Sequence, residues 1–209
     1  MELPSSLIDR KGYIERIKPF IRKGIAKVLT GQRRVGKSFL LFQLIRHIRQ
    51  EEPDASIIYV NMEDFAFSGI RTAKDLHDYI SSRLRDGGYN YIFIDEIQEV
   101  SQFEKAVRSL LLSPMNDIYL TGSNARMLSG ELATYLSGRY VAFDVYSLSY
   151  SEFLEFHRLD DCDASLQKYI RYGGLPYLVN LQLEDDIVDE YLKSVYSTIV
   201  FRDVVSRYN

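Results

Sequence analysis

One stretch of this 209-residue chain has the residue types and spacing to hold a phosphate: Gly31-Gln32-Arg33-Arg34-Val35-Gly36-Lys37-Ser38. A glycine, four residues and then Gly-Lys-Ser is the spacing at which backbone N–H groups close around an anion. Gly31 and Gly36 permit the turn and the close backbone approach. Lys37 is placed to reach the β- and γ-phosphates of a nucleotide, and Ser38 offers a hydroxyl to Mg²⁺. Gln32, Arg33, Arg34, Val35 and Phe39 complete the set expected to line the nucleotide. Arg33 and Arg34 are expected to face outward, toward a partner or toward base and phosphates.

A second stretch supplies acids. The apolar run Tyr91-Ile92-Phe93-Ile94 ends in Asp95-Glu96, about 60 residues after the glycine loop. Asp95 is expected to hold Mg²⁺, directly or through water, and Glu96 to orient and activate an attacking water. The second carboxylate separates reaction classes. Phosphoryl transfer to a small molecule needs no water-activating group, whereas hydrolysis does, so Glu96 points to hydrolysis of ATP.

These residues need a scaffold that brings them to one place. Ile25-Ala26-Lys27-Val28-Leu29 leads into the loop as a strand, and residues 39–50 lead out as a helix that Pro53 stops. The helix dipole then faces the anion. Ser56 to Asn61 is nearly all apolar and predicts a strand buried on both faces of a parallel sheet. Further strands are predicted at Tyr91 to Glu96, Asp117 to Asn124 and Tyr140 to Val145. Helices are predicted over 72–86, 102–112 and 125–136 between them, and over 7–23 at the start, interrupted by Pro19. Five strands alternating with helices predict an α/β fold with a parallel five-stranded sheet between helices and the ligand at its carboxyl edge. After about residue 148 the strand signal stops. Ser151 to His157, Ser165 to Arg171 and Asp186 to Tyr208 predict a small helical lid over 149–209, following a nucleotide-binding core over 1–148. Val188, Tyr191, Val195 and Ile199 stripe the last helix. Either they pack on the lid itself or they offer a surface to a protein partner.

Strand ends nominate further site residues. Asn61 either hydrogen-bonds Glu96 and holds it from water, or serves as an ordinary strand-end turn residue. Thr121, Ser123 and Asn124 end the strand expected beside the glycine loop and are candidates to sense the γ-phosphate, with a plain turn and helix cap as the alternative. Arg139 is the candidate for a charge-stabilising arginine, in cis or from a neighbouring subunit, a role that contributes about 10³–10⁵ in rate.

Composition narrows the partners. Net charge is −3, but residues 1–50 hold 12 Lys/Arg against 3 Asp/Glu and the remainder 14 against 26. A solvated basic face and a nucleic-acid patch both fit that asymmetry. The 16 Tyr are scattered, and no tract interleaves them with Lys/Arg as a stacking platform for single strands does. His47, His77 and His157 show no metal-ligand spacing. The single Cys162 excludes a disulfide framework, and the amino-terminal residues resemble neither a secretion signal nor a membrane span, so a cytoplasmic location is expected.

The chain resembles a family of prokaryotic predicted ATPases within the AAA+ superfamily. The matching residues are Leu29 to Ser38, Tyr91 to Gln98, Leu120 to Asn124, Leu136-Ser137-Gly138-Arg139, Tyr146 to Phe153, Tyr172-Gly173-Gly174-Leu175-Pro176 and Phe201 to Val205. The resemblance implies a P-loop NTPase core in which an extra strand lies between the strands carrying the two motifs. It also implies a helical lid with Gly173 to Pro176 close to the adenine. Asn61 falls at the position called the glutamate switch, and Thr121 to Asn124 in the sensor-1 region. Members generally continue into a C-terminal domain of unknown function, so a further domain is expected beyond Asn209. The expectation is a Mg²⁺-dependent ATPase that binds ATP and ADP and forms homo-oligomers. The alternative is a non-catalytic nucleotide switch gating a protein or DNA partner.

Overall fold

The structure is a computed structural model that describes residues 3–4, 7–122 and 136–199. Five parallel strands form one sheet in the order β2-β3-β4-β1-β5: β1 (Ala26–Thr30), β2 (Ser56–Asn61), β3 (Asn90–Asp95), β4 (Asn116–Gly122) and β5 (Tyr140–Asp144). β4 lies between β3 and β1, so the strand carrying the acids and the strand carrying the glycine loop share a neighbour, as the resemblance implies.

β1, β3 and β4 are buried at every position, which is why their sequences are continuous apolar runs. β2 corrects the expectation of a strand buried on both faces. It stands at the sheet edge, and its burial alternates. Ile58 and Val60 enter the main core with Ile92, Ile94, Ile118 and Leu120, whereas Ile57, Tyr59 and Asn61 are only half covered.

Helices α1 (Lys11–Ile17), α2 (Lys37–Glu51), α3 (Ala73–Ser81) and α4 (Phe103–Leu110) flank the sheet. α1 starts later than predicted because Gln43 engages the preceding backbone: its Nε2 donates to Ile8 O at 2.9 Å and its Oε1 accepts from Arg10 N at 3.0 Å. Pro19 sits in the 3₁₀ turn Lys18–Phe20. α3 begins at a reciprocal cap between Thr72 and Asp75. It stops at Ser81 rather than 86 because Asn90 captures Arg85 outside any helix, accepting from its N–H at 2.9 Å and donating to its carbonyl at 3.0 Å. The predicted helix 125–136 falls almost wholly outside the described residues.

The chain divides into two compact units. One runs to Gln32 and resumes over Lys37–Val145; the other joins Arg33–Gly36 to the residues from Tyr146 on. In the second unit lie α5 (Tyr150–His157), α6 (Asp163–Tyr172) and α7 (Asp185–Ile199). Val188 packs with Tyr172 and Leu178, and Tyr191 stacks on Tyr177 at 5.0 Å. The α7 stripe therefore packs, at Val188 and Tyr191, on its own unit. Gly174 approaches Leu148 so closely that a Cβ would stand 2.3 Å from the Leu148 carbonyl, while Leu148 N donates to Gly174 O at 2.7 Å. Only glycine fits there. No helix among the described residues is long and apolar enough to cross a membrane.

Candidate functional site

Because all five strands are parallel, their carboxyl ends Thr30, Asn61, Asp95, Gly122 and Asp144 lie along one edge of the sheet. Gly31 leaves β1 at that edge, and α2 begins at Lys37, only six residues later. Gly36 adopts φ +92°, where a β-carbon is strained. Inside the second unit a Cβ there would stand 3.7 Å from Pro176 Cγ. Lys37 is 4% exposed, and its ammonium donates to the carbonyls of Gly31 and Gln32, each at 3.0 Å. The cation is thus folded onto its own loop. Ser38 follows in the first turn of α2, half-buried.

Asp95 closes β3 at 1% exposure. Thr121 Oγ1 donates to its Oδ1, and Tyr59 Oη donates to its Oδ2 at 3.2 Å. Burial and then the Asp95 charge push the Tyr59 phenol far above its ordinary value, so it remains a donor. Glu96 leaves the strand in the left-handed region, φ 53° and ψ 49°. A non-glycine residue there costs about 1–3 kcal/mol, and such strain persists where the surroundings enforce it. Here Thr121 Oγ1 accepts from Glu96 N at 2.9 Å, and the 3₁₀ turn Ile97–Glu99 follows at once. The Glu96 side chain runs back toward the loop: Oε1 lies 3.9 Å from Lys37 Nζ, and Oε2 accepts from Gln98 Nε2. Lys37, Asp95, Glu96 and Thr121 are therefore brought together, each less than a tenth exposed.

Other predicted residues fall elsewhere. Asn61 is at the right strand end, paired in register with Asp95, but its Oδ1 accepts from Glu63 N at 3.0 Å. That is the turn-residue geometry; the amide on Glu96 belongs to Gln98. Arg139 is exposed and precedes β5, with its carbonyl accepting from Ala26 N at 2.9 Å. This is the amino edge of the sheet. The length of β1, on the order of 15 Å at the rise of an extended strand, separates it from the loop. The in-cis role for Arg139 is corrected on that ground. Gln32, Arg34 and Phe39 are exposed, Arg33 is half-buried and Val35 is buried. Ser123 and Asn124 lie outside the described residues.

Tyr59 and Gln98 were not singled out by residue chemistry. Tyr59 carried a signal, since it precedes Asn61 by one strand period on the same face. Gln98 carried a signal only through the resemblance, as the last residue of the matching stretch Tyr91 to Gln98.

The site has the donor types for Mg²⁺. Asp95 and Ser38 offer hard oxygen ligands beside a phosphate loop, the usual arrangement for an ion held mainly by substrate phosphates. Among the described residues no group of three or more His, Cys, Asp or Glu could bind a metal alone. Charge around the site is largely internal. Lys18 pairs with Glu15, Arg22 with Glu52, Arg46 with Asp9, and the buried Lys27 with Asp117. Two of these pairs, with Glu52 and Asp117, draw acids from outside residues 1–50, so they offset only a small part of the basic excess there.

Comparison with known proteins agrees with this fold. The sequence model of a family described as "AAA domain" matches residues 23–154. An uncharacterized protein of Haemophilus influenzae is 35% identical over 211 residues, covering 98% of this chain and 52% of its own length. An uncharacterized protein of Methanocaldococcus jannaschii is 33% identical, covering 88% of this chain and 42% of its own. The chain thus spans about half the length of these curated relatives. In fold it is similar to the replication initiator DnaA bound to AMPPCP and single-stranded DNA, with TM-score 0.55, 14% identity, and 97% and 72% of the two chains covered. It is also similar to Hsp104 of S. cerevisiae in complex with casein, with TM-score 0.57, 15% identity, and 83% and 36% covered. A five-stranded parallel sheet with a glycine loop feeding α2 and acids ending β3, matched over 23–154, makes this chain a member of the AAA domain family, an AAA+ P-loop protein of the ATPase type.

Proposed function

We propose that the chain is a Mg²⁺-dependent ATP-binding module that hydrolyses ATP to ADP and phosphate. The observation that carries this reading is the meeting of Lys37, Asp95 and Glu96 at one sheet edge, with Lys37 Nζ 3.9 Å from Glu96 Oε1. A carboxylate this close to the phosphate-seeking lysine is placed to act on water beside a γ-phosphate.

In this reading Lys37 leaves the carbonyls of Gly31 and Gln32 for the β- and γ-phosphates, and the backbone N–H groups of Gln32 to Ser38 cradle the remaining oxygens. Ser38 and Asp95 would hold Mg²⁺, which when bound would supply positive charge to offset that developing on the transferred group. Tyr59 and Thr121 fix the Asp95 carboxylate from two sides. Glu96 takes a proton from the attacking water. Arg139 acts on the phosphates of a neighbouring copy in a homo-oligomer, consistent with its exposure at the opposite sheet edge. A cytoplasmic location belongs to this reading, supported by the single exposed Cys162.

One observation favours a second reading. Both Glu96 oxygens have partners, Lys37 and Gln98, and a site held this way also suits a nucleotide switch that gates a protein or DNA client. Fold neighbours have been solved with both client types, DNA and casein, and do not choose between them.

Equilibrium binding and phosphate release test the proposal together. Lys37→Ala is expected to weaken Mg-ATP binding about 10–100-fold, as loss of a charge-assisted contact of roughly 1.5–3 kcal/mol requires. Wild-type phosphate release is expected to rise in specific activity as protein concentration is raised, because the site is completed between copies. Unchanged affinity in Lys37→Ala overturns the site. ATP binding with no release at any concentration leaves the switch.

A further inference from the structure

The restraint on Glu96 comes from Gln98, a residue with no chemical role assigned from the sequence. Glu96 is anchored by its main chain through Thr121, and its left-handed backbone turns the chain so that Gln98, two residues on, folds back beneath the carboxylate. Gln98 is 7% exposed and Glu96 9%. Gln98 Nε2 donates to Glu96 Oε2, and the other oxygen, Oε1, is the one directed to Lys37. The two oxygens thus divide the labour. One is tethered by a neutral amide that cannot take up a proton at physiological pH. The other is left facing the place where the γ-phosphate and its attacking water belong.

We infer that Gln98 is a positioning residue for hydrolysis, holding Glu96 Oε2 so that Oε1 is aimed at the water. The inference rests on the ATPase reading above. The side-chain amide that donates to Glu96 is that of Gln98, whereas Asn61 uses its Oδ1 to accept from Glu63 N in its own turn. A carboxylate on a flexible Glu side chain loses rotamer freedom when it must act from one direction, and an amide already in place removes that cost from the reaction step. Gln98 makes no bond to water or phosphate in this scheme, so it sets kcat and leaves nucleotide affinity alone.

Two variants separate positioning from mere support. Gln98→Ala removes the donor and is expected to lower kcat about 10-fold, a fraction of the 10²–10⁴ that a general base contributes. KM for ATP and the Kd of a non-hydrolysable ATP analogue are expected to stay within about 3-fold. Gln98→Glu keeps the size and shape. The new carboxylate cannot donate to Glu96 and repels it, so the aim is lost. Gln98→Glu is therefore expected to lower kcat at least as far as Gln98→Ala, with the analogue Kd again within about 3-fold. A merely structural role predicts analogue affinity falling in step with kcat. Unchanged kcat in Gln98→Ala, or analogue affinity lost in step with kcat in both variants, overturns the assignment while wild-type turnover upholds the ATPase reading. A wild type that binds the analogue and releases no phosphate overturns both.

Discussion

Thr121 Oγ1 sits between the two acids, donating to Asp95 Oδ1 and accepting the Glu96 N–H at 2.9 Å. One hydroxyl thus fixes the carboxylate expected to carry the metal and the backbone that aims the carboxylate expected to carry the base. Thr121 lies on β4, the strand inserted between the loop strand and the acid strand, and is fully buried. That inserted strand is what lets a residue distant in sequence reach both acids.

Thr121→Val keeps the shape and removes the hydroxyl. It leaves the Glu96 N–H buried without its acceptor, which is expected to cost about 1–3 kcal/mol in urea unfolding. Phosphate release is expected to fall more than stability alone explains, because Asp95 and Glu96 both lose their alignment. A variant within about 0.5 kcal/mol of wild type, with full turnover, would show that Thr121 is incidental.

The interior holds a charge pair away from the site. Lys27 Nζ is paired with Asp117 at 0% and 1% side-chain exposure, donates to Ile25 O at 3.1 Å and lies 4.2 Å from the Tyr119 ring centroid. Tyr119 Oη donates to Asp117 Oδ2 at 2.6 Å, and its ring stacks on Phe93 at 4.4 Å. Burial pushes the Lys27 ammonium below the usual lysine value, and Asp117 opposes that shift. Asp117→Ala is expected to destabilise by about 3–5 kcal/mol, since it strands a buried cation, and Lys27→Met with Asp117→Leu to recover most of the loss. Urea midpoints at constant slope measure both. A mild single variant would contradict a dry pair.

His157 gives the helical unit a pH response. Its Nε2 is buried with no hydrogen-bond partner among the described residues, and its ring lies 4.4 Å from Phe153. Burial first, then Lys168, hold its pKa below the ordinary value of about 6.5. A lowered folded value means the unfolded chain binds the proton more readily. The contribution is therefore complete above about pH 6.5 and is lost as pH falls through the folded value. Thermal unfolding is expected to show Tm falling between about pH 7 and pH 5, above the range where carboxylates titrate. His157→Phe is expected to flatten that slope; an NMR titration placing His157 at or above about 6.5 would refute it.

The glycine loop and the acid-ended strand were legible because their chemistry is local: spacing alone brings Gly31, Gly36, Lys37 and Ser38 to one turn. The continuous apolar runs likewise announced β3 and β4. What sequence could not convey is set by register and by single torsions. Ser56 to Asn61 read as a fully buried strand, but whether a strand is central or at the edge depends on the order of the sheet. Arg139 was visible as a residue, yet the edge it occupies follows from the pairing of Ala26 with Tyr140. Gln98 reaches Glu96 only because Glu96 takes φ 53°, which no residue type there announces. Lys27 in an apolar run was a hint of a buried partner, but Asp117 lies 90 residues away and is found only through the pairing of β1 with β4.

The most direct test of the central claim is phosphate release from Mg-ATP by wild type and Glu96→Gln, with ATP affinity measured on both. Glu96→Gln keeps Lys37, Ser38 and Asp95 and removes only the group assigned to the water. Affinity is expected within about 3-fold of wild type, with a fall in turnover of about 10²–10⁴. Equal turnover by the two proteins would contradict the claim and remove Glu96 from the chemistry.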